Sequence, residues 1–212
     1  MIAWAINLAG AYIRQYLENA KVNQFTSEEL SPVIEEALRQ HQVKKEEAAS
    51  IGSQTHEYAE KFGMSILNGQ DLPEIDPDSD EKVKNGIDAF LQWFNAHNVK
   101  FKATERMLYS EENGYVGLTD AIAIVDGKNT LIDYKTSKGI YSEYRYQIAA
   151  YCAAYEEETG DKLDQALIAH FNKDTGEFDT LVLTREDIEK DFKVFLACLE
   201  VKKREKELSK YY

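Results

Sequence analysis

The chain has 212 residues, 43% hydrophobic and 30% charged, which suffices for one ordinary α/β domain with a helical extension and excludes a chain disordered by composition. Its formal net charge of −13 (25 Lys plus Arg against 38 Asp plus Glu) argues against broad, nonspecific wrapping of a polyanion; a local site for one would need concentrated basic groups or cations that offset the repulsion. Two cysteines, Cys152 and Cys198, exclude a disulfide scaffold, a four-cysteine zinc site and a four-cysteine iron–sulfur cluster.

The apolar opening Met1-Ile2-Ala3-Trp4-Ala5-Ile6 lacks the basic flank and cleavage site of a signal peptide, and no apolar run approaches the ~18 residues of a membrane span. The expectation is a cytoplasmic protein with no membrane partner. Residues 2–20 place Ile2, Ile6, Ala9, Ile13, Tyr16 and Leu17 at helical spacing. Thr26-Ser27-Glu28-Glu29 reads as a capping-box start to a second helix, with Pro32 near its first turn. A third helix runs from about Lys44 to Leu67 with Ala48, Ile51, His56, Tyr58, Ala59, Phe62 and Ile66. Residues 71–81 hold two of the three prolines and six acidic groups, the mark of a solvated loop. A fourth helix carries Val83, Ile87, Phe90, Leu91 and Phe94 on one face.

The pattern then changes to strands over Val99–Leu108, Tyr115–Val125 and Asn129–Lys135, with a helix over Tyr141–Glu157. Two more strands, Ala166–Phe171 and Phe178–Leu183, are joined through Asp174-Thr175-Gly176. Thr184-Arg185-Glu186-Asp187 opens a final charged helix that turns Ile188, Phe192, Phe195, Leu196 and Leu199 inward. The expected architecture is a single α/β domain over 1–212: a helical N-terminal part over 1–97 and a sheet-centred core over 98–212.

Asp126-Gly127 between apolar runs is a hairpin signal. Alternation along a strand puts Asp133 and Lys135 on one side. A two-residue loop sets Asp120 opposite Asp133, and a four-residue loop sets it opposite Lys135. Either even-length loop places all three charges on one face; a three-residue loop breaks this. The neighbours Val116, Leu118, Ile122, Ile124, Leu131 and Ile132 make both strands read as buried, where facing carboxylates repel and unpartnered charge costs several kcal/mol. Lys135 offsets one charge. A hard divalent cation on Asp120, Asp133 and carbonyl or water oxygens would offset the rest, and beside a phosphate would polarise its oxygen and activate water. The same spacing also fits an ordinary Asp–Lys salt bridge near a sheet edge. One turn apart on the next helix, Gln147 and Tyr151 share a face that could support a phosphate or a water, or lie at the surface.

Three segments in order, Gly117-Leu118-Thr119-Asp120, Ile132-Asp133-Tyr134-Lys135-Thr136 and Gln147-Ile148-Ala149-Ala150-Tyr151, resemble the RecB-type exonuclease branch of the PD-(D/E)XK nuclease superfamily, including its phage and mitochondrial exonucleases. That branch is marked by a G-x-x-D strand, a D-Y-K-T strand and a Q-x-x-x-Y helix. Upstream, Gly52-Ser53-Gln54-Thr55-His56 is similar to the branch's helix histidine, and Glu105 to an acidic residue common before the G-x-x-D strand. Taken alone, His56 reads as a satisfied helix histidine; beside the other motifs it reads as a ligand. The resemblance covers roughly residues 48–185.

It implies a restriction-endonuclease-like core, a mixed central β-sheet flanked by helices. It also implies a metal-dependent DNA nuclease, an exonuclease acting on single strands or ends. His56, Asp120 and Asp133 would hold one or two Mg²⁺ or Mn²⁺ ions with the Tyr134 carbonyl, and Glu105 would add a ligand or hold a water. Lys135 would act on the nucleophilic water, while Gln147 and Tyr151 would support the site and touch DNA. Relatives with an iron–sulfur cluster use four cysteines, so none is expected here. Similar phage and mitochondrial enzymes carry a Ser/Thr-rich segment ahead of the first helix, which this sequence does not show.

Between Lys128 and Tyr151 the charge is +2: Lys128, Lys135, Lys138 and Arg145 against Asp133 and Glu143, interleaved with Tyr134, Tyr141, Tyr144, Tyr146 and Tyr151. Cations among aromatic rings suit single strands. Lys138, Tyr141 and Arg145 are therefore candidate DNA contacts. The alternative is a catalytically inactive DNA- or protein-binding module on the same fold; an acidic DNA mimic is disfavoured because the carboxylates scatter over amphipathic helices.

Overall fold

The structure is a computed structural model that describes residues 2–20 and 26–210, and the chain divides into two compact units, Met1–Ile51 and Gly52–Tyr212. The first contains α1 (Ile2–Asn19) and the beginning of α2 (Ser27–Asn68). The start of α2 follows from its capping box: Glu29 N–H donates to Thr26 Oγ1 at 3.3 Å, and Thr26 N–H donates to Glu29 Oε2 at 2.8 Å.

The expected second and third helices are one helix of 42 residues. Apolar periodicity fades over residues 39–47, but Arg-Gln-His-Gln-Val-Lys-Lys-Glu-Glu contains neither Gly nor Pro. Its side chains support continuation, with Gln40 to Glu36 at 2.8 Å, Gln42 to Glu46 at 2.6 Å and Lys44 to Glu47 at 3.1 Å. A polar stretch without a breaker stays helical when both flanks are helical.

The second unit holds the rest of α2 and the remaining elements: α3 (Glu81–Ala96), β1 (Val99–Ser110), β2 (Tyr115–Val125), β3 (Lys128–Lys135), α4 (Ser142–Thr159), β4 (Gln165–Phe171), β5 (Phe178–Thr184) and α5 (Arg185–Leu208). The strands form a five-stranded mixed sheet in chain order. Only β3 and β4 pair in parallel, with Thr130 opposite Gln165 and Lys135 opposite His170, so α4 is the crossover helix that such a pair requires. Every residue of β4 is buried, as befits a strand covered on both faces.

One face packs Ala59 and Phe62 of α2 and Phe90 and Trp93 of α3 against Ala121, Ile132, Tyr134 and Phe171. The other packs Ile148, Ala149 and Cys152 of α4 and Ile188 of α5 against Leu108, Ile122, Leu131 and Ile168. This is the mixed α/β arrangement expected, with helices flanking a central sheet. The acidic loop before α3 ends at Asp80, whose side chain accepts from Lys82 N and caps the helix.

The β2–β3 turn is the two-residue case. Val125 pairs with Lys128, and the positive φ values of Asp126 (51°) and Gly127 (86°) are those of a type I′ turn. Asp126 is further fixed by His97 Nδ1 at 2.8 Å and by the N–H of Asn98 at 2.9 Å, which tie the turn to the α3–β1 junction and hold the carboxyl below its ordinary range.

Regular alternation fails at two levels of the β1–β2 hairpin, at a register shift between Phe101 and Ala103 and again at Glu105, and the second level positions the site. In β1, Ala103 packs towards α4 and Thr104 lies against Gly63 of α2, yet Arg106 stacks over Tyr155 of α4 and Leu108 belongs to the α4-side core. Between them Glu105 takes a left-handed φ of 47°, which turns the strand over. In β2, Gly117 lies under Tyr151 of α4, while Ala121 and Ala123 face the α2–α3 core. Asp120 stands at this turnover. The strand pairs on either side of it, Thr104 with Ala121 and Arg106 with Thr119, put Glu105 and Asp120 at the same level.

Candidate active site

Pairing between β2 and β3 ends at Ala121 opposite Ile132, and Asp120 fills the gap that opens beyond it. Its Oδ2 accepts from the Tyr134 N–H at 2.6 Å, replacing the backbone acceptor that a continued ladder would supply, and its Oδ1 lies 3.1 Å from His56 Nδ1. Thr119 Oγ1 donates to the Ile132 carbonyl at 3.1 Å on the same boundary. The expectation that regular alternation would carry Asp120 onto one face with Asp133 and Lys135 is therefore corrected: the strand turns over there, and the carboxylate bridges the strand opening and the α2 histidine.

His56 is brought to the sheet by two small residues. A Cβ on Gly52 would stand 2.8 Å from Thr136 Oγ1, immediately after Lys135 in sequence, and one on Gly86 of α3 would stand 2.5 Å from Thr55 Oγ1. Burial disfavours the His56 imidazolium, but the hydrogen bond and charge of Asp120 outweigh that and raise its pKa above the ordinary value.

Asp133 follows on β3 and is 3% exposed. Its Oδ2 lies 2.6 Å from Lys135 Nζ, a close ion pair whose angles fall outside those of a well-directed hydrogen bond. Burial pushes its carboxyl up to about 6, against the pull of Lys135 and with a further push from Asp120. The Lys135 ammonium donates to Gln147 Oε1 at 3.0 Å, and Gln147 Nε2 donates to Tyr151 OH at 2.9 Å. The Tyr151 ring in turn lies so close over β2 that a Cβ on Gly117 would meet its Cε1 at 2.2 Å. The glycine of the G-x-x-D segment thus makes room for the tyrosine of the Q-x-x-x-Y segment. Burial, then the charge of Asp133, raises the Tyr151 pKa.

The remaining expected residues are placed as follows. Tyr134 is buried in the α2–α3 core, its hydroxyl pKa raised by burial and by Asp120, and its backbone is at the site through its N–H. Glu105, across from Asp120, is raised by partial burial and by the charges of Asp120 and Glu60, with His56 opposing. Among the described residues, no group of three or more His, Cys, Asp or Glu side chains stands in metal-holding geometry; Asp120 is paired with His56 and Asp133 with Lys135. Lys138 is exposed, and Tyr141 is 45% exposed. Arg145 is turned away to α5, with Nε 2.8 Å from Asp191 Oδ2 and an Nη 3.2 Å from Asp187 Oδ1.

Two residues at the site carry no sequence signal that singled them out. His170 of β4 pairs with Lys135 in register, and its Nε2 lies 2.6 Å from the Ser137 carbonyl, fastening the loop after β3. Tyr144 of α4 presents its ring to Lys135 Nζ, 4.7 Å from the centroid. The interleaved tyrosines were visible, but which one meets the lysine depends on the crossover.

No protein-family model matches the chain, and no curated protein matches it. Among solved structures it is similar to LHK-Exo in complex with dAMP, at 16% identity and a TM-score of 0.36, over 74% of this chain and 86% of that one. It is similar to an exonuclease-designated protein from Eubacterium rectale at 13% identity and a TM-score of 0.38, over 83% and 84% of the two chains. For SSO0001 the identity is 17% and the TM-score 0.31, over 55% of this chain and 59% of that one.

Proposed function

We propose that this chain is a divalent-metal-dependent deoxyribonuclease of the RecB-type PD-(D/E)XK branch, an exonuclease that hydrolyses phosphodiester bonds at single strands or DNA ends. The observation that carries the reading is Asp133: a carboxylate 3% exposed, facing a lysine without a directed hydrogen bond, beside a second aspartate wedged into a strand opening. A structural salt bridge would satisfy its buried oxygens. Here Oδ2 meets the Lys135 ammonium alone among the described residues, and a carboxylate oxygen has further lone pairs, so acceptor capacity is held in reserve.

That reserve fits a hard cation. Two carboxylates and a histidine, His56, Asp120 and Asp133, are the donor types that Mg²⁺ or Mn²⁺ accepts, with the Tyr134 carbonyl and Glu105 as further oxygens. A divalent cation held there would offset the carboxylate charge and draw electron density from a phosphoryl oxygen. Lys135, held by Gln147, would supply a positive charge and a proton-bearing nitrogen to the attacking water or the developing phosphoryl charge. Gln147 and Tyr151 fix that nitrogen. Lys138 and Tyr141, exposed on the loop after β3 and at the mouth of α4, suit the backbone and a base of the strand.

End-labelled single- and double-stranded DNA incubated with Mg²⁺ or Mn²⁺ tests the reading. The wild type should shorten it, EDTA should stop the reaction, and Asp133→Ala should lose activity while keeping its circular dichroism spectrum. DNA left intact by the folded wild type would reject catalysis and leave a binding module.

A further inference from the structure

Resting on the nuclease reading above, we propose that Tyr144 is a positioning residue for Lys135, acting through its ring face and not through its hydroxyl. A lysine ammonium has three N–H directions on a flexible four-carbon stem. Here Gln147 Oε1 takes one at 3.0 Å, Asp133 Oδ2 stands at 2.6 Å, and the Tyr144 ring closes the remaining side with its centroid 4.7 Å from Nζ. The side chain is 17% exposed, so the cation–π attraction acts in a partly desolvated space, where it is strongest.

Tyr144 is itself held. It packs on the α4-side core, and Tyr141 meets its ring in a T-shaped contact at 5.5 Å. It precedes Gln147 by three residues, so one face of α4 supplies both groups that grip the ammonium from above the sheet. The chemistry of the third contact matters. A carboxylate or amide in that place would bind the N–H by a directed bond, and an aliphatic side chain would let the stem swing. An aromatic face attracts the charge without engaging an N–H as a directional acceptor, so the ammonium stays aimed between Gln147 and Asp133.

Tyr144→Leu and Tyr144→Phe test this by kcat and KM on DNA, melting temperature, and the NMR shift of the Lys135 ε-methylene protons, which a ring face moves upfield. Tyr144→Leu should lose about tenfold in kcat, with KM within about twofold and the ε signals returned to ordinary lysine positions. Tyr144→Phe should keep both kcat and the upfield shift; should Tyr144→Leu fail to fold, Tyr144→Met fills a similar volume and should behave as Leu is expected to. An unchanged kcat in the folded Leu or Met variant, ε signals that do not move, or an equal loss in Phe would overturn the proposal. An inert wild type would overturn the nuclease reading instead, and the ε signals would then decide alone whether the ring holds the lysine.

Discussion

At Asp133 burial and charge conflict. Its carboxyl is driven up to about 6 by loss of water, against the pull of Lys135 and His56. Removing its charge relieves that desolvation cost but leaves the Lys135 ammonium, 17% exposed, without its carboxylate. Asp133→Asn should therefore abolish cleavage, while the two opposed effects leave the melting temperature of the metal-free protein little changed near neutral pH, as scanning calorimetry beside the DNA assay would show. Arg145 gives the opposite case. Its position in the basic, tyrosine-rich stretch made it a DNA contact on paper, but its guanidinium is engaged by Asp187 and Asp191 across the α4–α5 packing. Arg145→Ala should cost about 1–2 kcal/mol of stability, because it strands a partly buried carboxylate, and leave DNA affinity by fluorescence anisotropy unchanged. A normal melt with weakened binding would reverse that assignment.

At the scale of elements, the hairpin and its register were readable because Asp126-Gly127 permits few turns, and the two-residue loop is the one formed. The capping boxes at Thr26 and Thr184 were equally legible, since side chain and backbone three residues apart decide them locally. The turnover at Glu105 was not legible. Nothing about Glu marks a left-handed residue inside a strand, and its φ of 47° is held by what surrounds it: α2 on one side, α4 on the other. The continuity of α2 was missed for the complementary reason, that a fading apolar stripe looks like an end although no residue stops the helix. Of the candidate site, the Asp133–Lys135 contact and the Gln147–Tyr151 pair were legible, because strand alternation and helical spacing put each pair on one face; His170 and Tyr144 were not, because parallel pairing and the crossover bring them in.

Two element-level predictions follow from contacts between elements. Gly117→Ala puts a methyl within 2.2 Å of the half-buried Tyr151 ring, which would have to move off the strand to make room. It should lower stability by roughly 1–3 kcal/mol in urea melts and, by pushing Tyr151 off Gln147, lower kcat as well. Glu156 of α4 is drawn up by desolvation but brought below its ordinary 4.5 overall by Arg185, the Leu163 N–H and Lys162. A depressed carboxyl stabilises the fold above the unfolded value and loses that contribution as pH falls through the folded one. Glu156→Gln should therefore cost about 2 kcal/mol at pH 7, with the gap to wild type closing as pH falls below 4.5. A constant gap across an acid titration would mean that the charge is irrelevant there.

For the whole molecule, a net charge of −13 has to coexist with the polyanionic substrate proposed above. The basic stretch between Lys128 and Tyr151 offers less free charge than its sequence suggests, since Lys135 answers Asp133 and Arg145 answers α5. The exposed cations left in it are Lys128 and Lys138. Binding to DNA should be weak without a divalent cation, strengthen when one is added, and have a shallow salt slope, because few phosphates can be neutralised by protein side chains. Titrations at several salt concentrations with Ca²⁺ or with EDTA would read both effects; tight, steeply salt-dependent binding in EDTA would point to a basic surface that the charge distribution does not provide. No helix among the described residues is long and apolar enough to cross a membrane.

The most direct measurement is a crystal structure grown with Mn²⁺ and read by its anomalous signal. The account predicts a peak within bonding distance of both Asp120 and Asp133 and adjacent to His56, with the Lys135–Asp133 contact loosened. Crystals that show the two carboxylates still paired only with His56 and Lys135 at saturating Mn²⁺, and no peak between them, would contradict it.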